Sequence, residues 1–457
     1  MNISKNEIQP RVIGGFYKEN LKDAFMDKRP IDEPVEARCA YFSDGKVETI
    51  WCVLDFMDFD VKTVQEIISA IQKETAIPTR HIHVLTTHNH SASELPYLKT
   101  NAIAFNAARA SSEARANAEP LFMRFAKCNS SRRLNYRRRI AFPIAGMEAQ
   151  TTVFWGPNEK NDYAANQFLE YQASVLKNDF RQIYNGSSKD SANATTMEFF
   201  PPGDPLIAVW RFEDQIGNVK GWFCRYAAHA ICCNRHDHYS SDFPFYFRHT
   251  LEKAKGGTAL FFNGPCGDIA PGIESKNSGH ERTIGEQLGK DALRIIENAD
   301  REPLNILIDV EKKLPVVARD DFQAQGPVQI SGNEELQEIR KKAECNNLFE
   351  HRDFLMAKMA SPKKENTARL GGLRLNNTIL LALPGETFWS TGEKIISKGN
   401  NKLQVITVTE HDRTLMYIVP QDECNRGGYE NCCRLTAPNF EEKLLSTGVA
   451  LLHELQA

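Results

Sequence analysis

Three short apolar segments of this chain are rich in β-forming residues, and each is followed by a side chain that can bind a metal ion. The segments and the side chains that follow them are Val84–Thr87 with His88, Gly221–Ala228 with His229, and Thr378–Leu383 with Glu386. A residue at the end of a strand projects from a rigid element and keeps a fixed geometry. Two histidines and one carboxylate are a common ligand set for a catalytic zinc ion. The chain is therefore expected to fold around strands whose ends carry a site.

The first of these segments is followed by two histidines, His88 and His90, with Asn89 between them. In an extended chain alternate residues face the same side, so the two imidazoles are predicted to share one face. One imidazole could bind a cation while its neighbour handles a proton. A short His-x-His motif also occurs as an ordinary structural pair, so the motif by itself leaves both interpretations open.

The other two candidates also have structural interpretations. His229 follows a β-hairpin predicted from 206–212 and 221–228, which flank a turn-rich break. A histidine in that position is more often a core residue. Glu386 precedes a segment that looks helical, and a carboxylate near a helix start is favoured by the helix dipole. The motifs at these strand ends therefore need support from the rest of the chain.

Five blocks of the sequence carry a family resemblance when they are taken together and in order. The blocks are Thr87–Ser91, Asn234–Asp242, Gly267–Pro271, Pro384–Glu386, and Tyr417–Pro420 with Gly428–Glu430. They are similar to Thr-His-Thr-His-Ser, Asn-Arg-x-x-His-x-x-Ser-Ser-Asp, Gly-Asp-Val-Ser-Pro, Pro-Gly-Glu and Tyr-Ile…Tyr-Glu of the neutral, non-lysosomal ceramidases. Members of that family are zinc amidases that cleave the N-acyl bond of ceramide. The chain resembles a divergent member that contains the catalytic domain only.

The resemblance implies a set of site residues. Zinc would be bound by His88, His229, Glu386 and Tyr417. His90 would carry a proton to the leaving amine, and Tyr429 would donate a hydrogen bond to the oxyanion. The residues alone would assign Tyr417 and Tyr429 to the core. Asp242 and Asp268 are expected to orient the histidines and their loop.

Two positions depart from the family pattern. Ala270 stands where the family has serine, and alanine cannot form an acyl intermediate, so a serine nucleophile is excluded at that position. Ala92-Ser93-Glu94 replaces a glycine-rich stretch and places a charge at the predicted entrance. The resemblance also ends before the sandwich-like C-terminal domain of the lipid-cleaving members. A soluble N-acyl compound is therefore expected to be cleaved in preference to long-chain ceramide.

Helical and strand-like patterns interleave along the chain. They predict amphipathic helices at 61–74, 282–299 and 334–359, and strands at 258–262, 304–310 and 403–409. This order favours the α/β class, with mixed β-sheets covered by helices in a ceramidase-like catalytic domain. Residues 1–457 are predicted to form a single large catalytic unit without a C-terminal sandwich domain, and Tyr184–Asp204 to be a loop-rich insertion.

The net charge limits which binding partners are expected, and the cysteine content limits which cellular compartment is expected. The net charge of −3 gives no general attraction for nucleic acid or an anionic membrane. The cluster Arg132, Arg133 and Arg137–Arg139 is either a solvated face or a source of one arginine that binds a substrate carboxylate or phosphate. The odd count of 11 cysteines favours a reducing compartment. With no apolar leader and no run of about 20 apolar residues, the chain is predicted to be cytoplasmic without a stable membrane anchor.

The sequence therefore predicts a zinc-dependent hydrolase that cleaves a small-molecule, linear N-acyl amide with a metal-activated water. A zinc esterase, a lactonase or a sugar-amide deacylase would use the same site. An alternative of another class is a metal-binding paralogue without turnover. The sequence does not indicate an oligomeric state.

Overall fold

A computed structural model describes residues 9–92, 98–144, 147–152, 202–233, 237–272, 280–317, 367–399, 403–411, 415–424, 430 and 434–457. Tyr429 and Glu94 lie outside these residues, as do the helix predicted at 334–359 and most of the predicted insertion at 184–204.

Strands and helices alternate along the described chain, as the sequence pattern predicted. The strands are β1 (Ile13–Asn20), β2 (Glu36–Ser43), β3 (Glu48–Leu54), β4 (Ile82–Thr86), β5 (Glu119–Pro120), β6 (Phe122–Asn129), β7 (Asn135–Arg137), β8 (Arg139–Ile144), β9 (Met147–Thr152), β10 (Leu206–Glu213), β11 (Val219–Tyr226), β12 (Thr258–Asn263), β13 (Ile269–Pro271), β14 (Glu302–Pro303), β15 (Leu307–Pro315), β16 (Thr367–Leu375), β17 (Thr378–Pro384), β18 (Glu386–Thr387), β19 (Gln404–His411) and β20 (Tyr417–Ile418). The helices are α1 (Val61–Thr75), α2 (Thr100–Ala116), α3 (Asp242–Lys255), α4 (His280–Ile296), α5 (Trp389–Ile396), α6 (Gln421–Cys424) and α7 (Phe440–Gln456).

Two large mixed sheets pack face to face at the centre of the fold. One has nine strands in the order β15-β16-β17-β19-β4-β3-β2-β1-β5, and the other has five in the order β12-β11-β10-β6-β14. Aromatic side chains fill the space between them; the ring centroid of Phe223 lies 5.8 Å from that of Phe42 and 4.9 Å from that of Phe262. Central strands such as β2 and β3 are buried on both faces because helices cover the outer faces as well. The predicted α/β class is confirmed.

The helices pack on the outer faces of the two sheets. Helices α1 and α2 cover one part of the nine-stranded sheet, and α5 and α7 cover the part formed by its C-terminal strands. Helices α3 and α4 cover the five-stranded sheet. Among the described residues, no helix combines the length and the apolarity needed to cross a membrane.

Helix α1 shows why these segments fold as predicted. Val64, Ile67, Ile68 and Ile71 recur at helical spacing and are all buried. The helix begins after Asp60, whose side chain accepts a hydrogen bond from the backbone N of Thr63 at 2.7 Å. The apolar spacing therefore fixes the buried face, and the cap fixes the start.

One predicted strand starts later in the structure. Residues 304–310 were expected to form a strand, but β15 begins at Leu307 and runs to Pro315, while the short β14 before it ends at Pro303 in the five-stranded sheet. Leu304, between them, donates a backbone hydrogen bond to the carbonyl of Leu121 at 2.9 Å. The apolar pattern could not mark the start of the strand because Leu304 is buried like Leu307. By contrast, the predicted hairpin of β10 and β11 is antiparallel, as expected.

The carboxyl ends of several strands meet at one place. Strand β19 runs antiparallel to β4, and they share one register pair, His411 with Leu85, near the carboxyl ends of both. Strand β17 runs parallel to β19, so its carboxyl end reaches the same place. The segment after β11 joins from the other sheet, since His90 N donates to Ala230 O at 3.2 Å. The three candidate ligands therefore leave strands that end close together.

A buried ion pair between α3 and the segment after β3 stabilises the place where these strand ends meet. The guanidinium of Arg248 in α3 binds both carboxylate oxygens of Asp55, at 2.6 and 2.9 Å, and both side chains are fully buried. The backbone carbonyl of Asp55 in turn accepts a hydrogen bond from Asn89 Nδ2 at 3.2 Å. The pair thus links α3 to the segment that carries His88 and His90.

We expect Arg248→Met to lower the free energy of unfolding by about 3–5 kcal/mol, because it leaves the Asp55 carboxylate buried without its bidentate partner. Urea unfolding would measure the change. Lys253→Met, at an exposed position of the same helix, removes an equal charge and should change the free energy by less than about 0.5 kcal/mol. Equal losses in the two variants would contradict a special role for the buried pair.

Candidate metal centre

Five side chains meet where the strands converge. Each follows or begins a regular element, and they are His88 after β4, His90 in a 3₁₀ turn, His229 after β11, Glu386 in β18 and Tyr417 in β20. His88, His229, Glu386 and Tyr417 are at most 5% exposed. His90 is only partly buried, so it is the member of the group that solvent can reach.

The donor atoms lie at the spacing that a metal ion requires. Glu386 Oε2 is 3.1 Å from His229 Nε2 and 3.4 Å from His88 Nε2. Tyr417 Oη is 3.5 Å from His229 Nε2. Zinc with ligands at about 2.0–2.1 Å separates neighbouring ligands of a tetrahedron by roughly 3.3–3.4 Å. Two imidazoles, a carboxylate and a phenol at these three separations could therefore hold a metal ion of the size of zinc.

Glycine and strand pairing bring Glu386 next to Tyr417. Gly385 has a φ of +57°, and a Cβ there would lie 2.9 Å from Met416 O and from Leu415 Cβ. This turn therefore requires glycine. It is followed by a parallel pair of two-residue strands in which Glu386 is the register partner of Tyr417. Glu386 is not the N-cap of a helix, since the cap of α5 is Phe388.

The route by which His88 and His90 meet differs from the prediction. An extended chain was expected, but His88 has a φ of +57° and His90 begins a 3₁₀ turn. The two rings nevertheless come together, with their Nε2 atoms 3.3 Å apart. The prediction of extended backbone was wrong because the chain leaves the sheet at Thr87, and the predicted proximity of the rings was right.

Backbone carbonyls orient the two buried histidines. His229 Nδ1 lies 2.9 Å from Ile269 O, and His88 Nδ1 lies 3.3 Å from Met57 O. A proton on Nδ1 that is donated to a carbonyl leaves the Nε2 lone pair free to bind a metal. Both Nε2 atoms face Glu386 Oε2, as a shared ion requires.

The charge states of these groups also suit a cation. Burial and the nearby Arg138 lower the pKa of His229 to about 4. Burial, with His88 and His229 beside it, holds the pKa of His90 well below its usual value. Burial opposes ionisation of Glu386, but the two neighbouring imidazoles outweigh it and hold its pKa well below the ordinary range. At neutral pH the centre thus offers the neutral imidazoles of His90 and His229 and the carboxylate of Glu386.

One arginine of the sequence cluster reaches the centre, and the cluster as a whole is not a solvated face. Arg132 and Arg133 are exposed, whereas Arg138 is 1% exposed. Its Nη2 donates to Tyr417 Oη at 2.9 Å, and its Nε donates to Glu430 at 2.8 Å. Arg138 therefore supports a candidate ligand.

The remaining predicted residues have supporting positions. Asp268 accepts hydrogen bonds from Arg137 at 3.2 Å and from the backbone N of Trp389 at 3.0 Å. Asp242 accepts from the backbone N of Cys233 at 2.7 Å and so holds the loop after His229. Ala270 is fully buried in β13. Tyr429 lies outside the described residues.

Glu430 was identified from the sequence only as part of the Gly428–Glu430 block, without a role, and Asn263 was not identified; both are polar residues beside the centre. Glu430 is fully buried, and its carboxylate accepts hydrogen bonds from Arg138 and from Arg139, each at 2.8 Å. Asn263 is a fully buried polar residue at the end of an apolar strand. A polar residue that ends such a strand was the available signal for Asn263. The arginine cluster was the signal for Glu430.

Solved structures with a similar fold are ceramidases. The neutral ceramidase from Pseudomonas aeruginosa matches 98% of this chain and 75% of its own, with a TM-score of 0.65 and 14% sequence identity. A ceramidase complexed with C2 matches 98% of this chain and 76% of its own, with the same TM-score of 0.65 and 14% identity. The chain has a ceramidase-like fold. At this identity the likeness shows the fold alone, and no protein-family model or curated protein matches the sequence.

We expect purified protein to contain one zinc ion per chain and His229→Ala to lose it. The loss of affinity should exceed the roughly 10–100-fold typical of removing a group that only supports a ligand. Elemental analysis and circular dichroism would measure metal and fold. His453→Ala, on the exposed side of α7, is the matched control and should keep its zinc.

The same zinc measurement on His90→Ala distinguishes the set that includes Glu386 and Tyr417 from a set of three histidines. The ring nitrogens of His88, His90 and His229 lie within 4.8 Å of one another, so three histidines could also hold an ion. We expect His90→Ala to retain zinc, because Glu386 and Tyr417 complete the set without it. Loss of zinc from His90→Ala but not from a Tyr417→Phe variant would assign the three-histidine set instead.

Proposed function

We propose that this protein is a zinc-dependent amidohydrolase that cleaves a linear N-acyl amide. The observation that carries the proposal is the buried set His88, His229, Glu386 and Tyr417, whose donor atoms lie 3.1–3.5 Å apart along the set. The likeness to ceramidase structures, whose names state that class of enzyme, supports the same reaction. These four residues would hold the zinc ion.

A zinc ion held there would polarise the substrate carbonyl and lower the pKa of water toward about 7. The protein's own residues would handle the protons and the developing charge. His90 is neutral at neutral pH, and solvent reaches it, so its Nε2 can accept a proton and pass it to the leaving amine. Glu386, ionised and fixed between two imidazoles, keeps the ligand set anionic.

Tyr429 is the proposed donor to the developing oxyanion. Its chain neighbour Glu430 is bound by Arg138, which also binds Tyr417. Tyr429 itself lies outside the described residues, and its role is proposed from the resemblance carried by the Gly428–Glu430 block. Losing one such donor typically costs on the order of 10²–10³ in rate.

The proposed substrate is a soluble N-acyl compound with a charged or sugar-like amine portion. The sequence places the charged residue Glu94 where relatives have glycine-rich backbone, and this charge supports a polar substrate. A two-tailed lipid offers no partner for such a charge, and leaving a polar group without a partner reduces binding strongly.

We expect short soluble N-acyl amines to be hydrolysed with a higher kcat/KM than long-chain ceramide in detergent. A missing apolar contact should account for about 1–3 kcal/mol of this discrimination, and unpaired polar groups for more. A chelator should abolish activity, and added zinc should restore it. Hydrolysis of esters or lactones but not of amides would refute the amidase. A preference for ceramide would refute the substrate class and leave the amide chemistry intact.

We expect kcat/KM to fall on the acid side in a single limb at about pH 7, set by the water that the zinc ion would activate, with no further limb from His90 or His229 above pH 6.5. The reason is that His90 and His229 must be neutral, and both pKa values are lowered, so protonation begins only at more acidic pH. His90→Gln should lose about 10²–10⁴ of the rate while keeping its zinc. A steeper fall above pH 6.5, from protonation of a second group, would contradict the neutral state of His90 and His229.

A further inference from the structure

Asn263 lies at the junction of the two chain segments that carry His88 and His229. It is the last residue of β12 and is fully buried. Its Oδ1 accepts a hydrogen bond from Ala228 N at 3.1 Å, and its Nδ2 donates to Ala228 O at 2.8 Å and to Thr87 O at 3.3 Å. Thr87 and Ala228 directly precede the two histidines. One side-chain amide therefore joins both segments.

The amide acts where the backbone ladder between β11 and β12 ends. Tyr226 is paired with Asn263, and Gly264 N donates to Tyr226 O at 2.9 Å before the chain turns at Pro265. Beyond this point the Asn263 amide binds both backbone groups of Ala228, as a neighbouring strand would. Buried backbone groups require hydrogen-bond partners. The Asn263 side chain therefore supplies to Ala228 the two hydrogen bonds that a paired strand would otherwise make.

We propose that Asn263 is a positioning residue that sets the separation of His88 and His229 at the metal centre. The proposal rests on the zinc site of the proposed function. Zinc–nitrogen bonds of about 2.0–2.1 Å tolerate deviations of roughly 0.2 Å. A small displacement of either segment therefore weakens the site. Asn263 binds backbone atoms, so it affects the geometry of the ligands and not their charge.

A second connection allows the proposal to be tested in a folded protein. On the other side of the two histidines, Asn89 forms a β-bridge with Ala230, and His90 N donates to Ala230 O at 3.2 Å. The two segments thus remain joined when the Asn263 amide is removed. The variant loses one of two constraints on the histidines.

Asn376 offers a matched control away from the centre. It is also buried, and its Oδ1 accepts hydrogen bonds from the backbone N of Asn305 at 2.9 Å and of Ile306 at 3.1 Å. Its Nδ2 donates to Pro303 O at 3.0 Å. Since its φ is +49°, Asn376→Gly removes the amide and tolerates the same backbone conformation.

The experiment measures the zinc Kd of Asn263→Ala, Asn376→Gly and the parent by competition with a chelating dye. We expect Asn263→Ala to bind zinc about 10–100-fold more weakly, as for other residues that support metal ligands. Asn376→Gly should stay within about threefold of the parent. The visible spectrum of the cobalt-substituted protein should change in Asn263→Ala and not in the control, because the ligand geometry differs.

Two outcomes would overturn the proposal. A folded Asn263→Ala whose zinc Kd stays within about threefold of the parent would remove the positioning role. Equal weakening in Asn376→Gly would reduce the effect to general destabilisation. If Asn263→Ala does not fold, Asn263→Asp keeps the acceptor for Ala228 N, loses both donated bonds and is judged by the cobalt spectrum.

The outcomes also separate this inference from the proposed function. A parent that binds zinc but cleaves no amide would refute the amidase, and the Kd comparison would still decide the role of Asn263. A parent that binds no divalent metal would refute both.

Discussion

The Glu386 carboxylate, held between the Nε2 atoms of His88 and His229, is the interaction on which the rest of the site depends. Removing such a charge from water costs several kcal/mol, so it is stable only where partners surround it. The neighbouring imidazoles of His88 and His229 hold the pKa of Glu386 low, which requires a proton or a metal ion shared between their Nε2 atoms and the carboxylate. The three groups follow β4 and β17 of the nine-stranded sheet and β11 of the five-stranded sheet, so the fold must bring these strand ends together accurately.

The packed pair of sheets provides that accuracy. Aromatic side chains fix the spacing between the sheets, and the Arg248–Asp55 pair fixes the segment beneath His88. Strands β4 and β19 of the nine-stranded sheet share only one register pair, near the carboxyl end of β4. The start of β4 is held instead by Asp309 of β15. The Asp309 carboxylate lies 2.7 Å from His81 Nδ1 and 3.0 Å from His83 Nε2. This second cluster holds the start of β4, while the candidate site occupies its end.

Charge is balanced around the site by pairs. Arg138 is buried, and its pKa is raised because the attraction of Tyr417, Glu430 and Glu386 outweighs the cost of burial. The hydrogen bond from Arg138 stabilises negative charge on the Tyr417 oxygen, which favours a phenolate as a zinc ligand. A phenol, usually a weak ligand at neutral pH, can therefore join the histidines and the carboxylate.

The sequence by itself determined which strands carry the candidate ligands, because an apolar run that ends in His88, His229 or Glu386 is a local pattern. It also determined the α/β class, since helical and strand periodicities alternate along the chain. Local pattern could not reveal that β14 and β15 belong to different sheets, that His88 adopts a left-handed backbone, or that Arg138 turns inward to Tyr417. Each of these depends on partners distant in sequence: Arg138 and Tyr417 are 279 positions apart. Tertiary structure alone decided these contacts, because a buried charge or backbone group takes its conformation from the partner that compensates it.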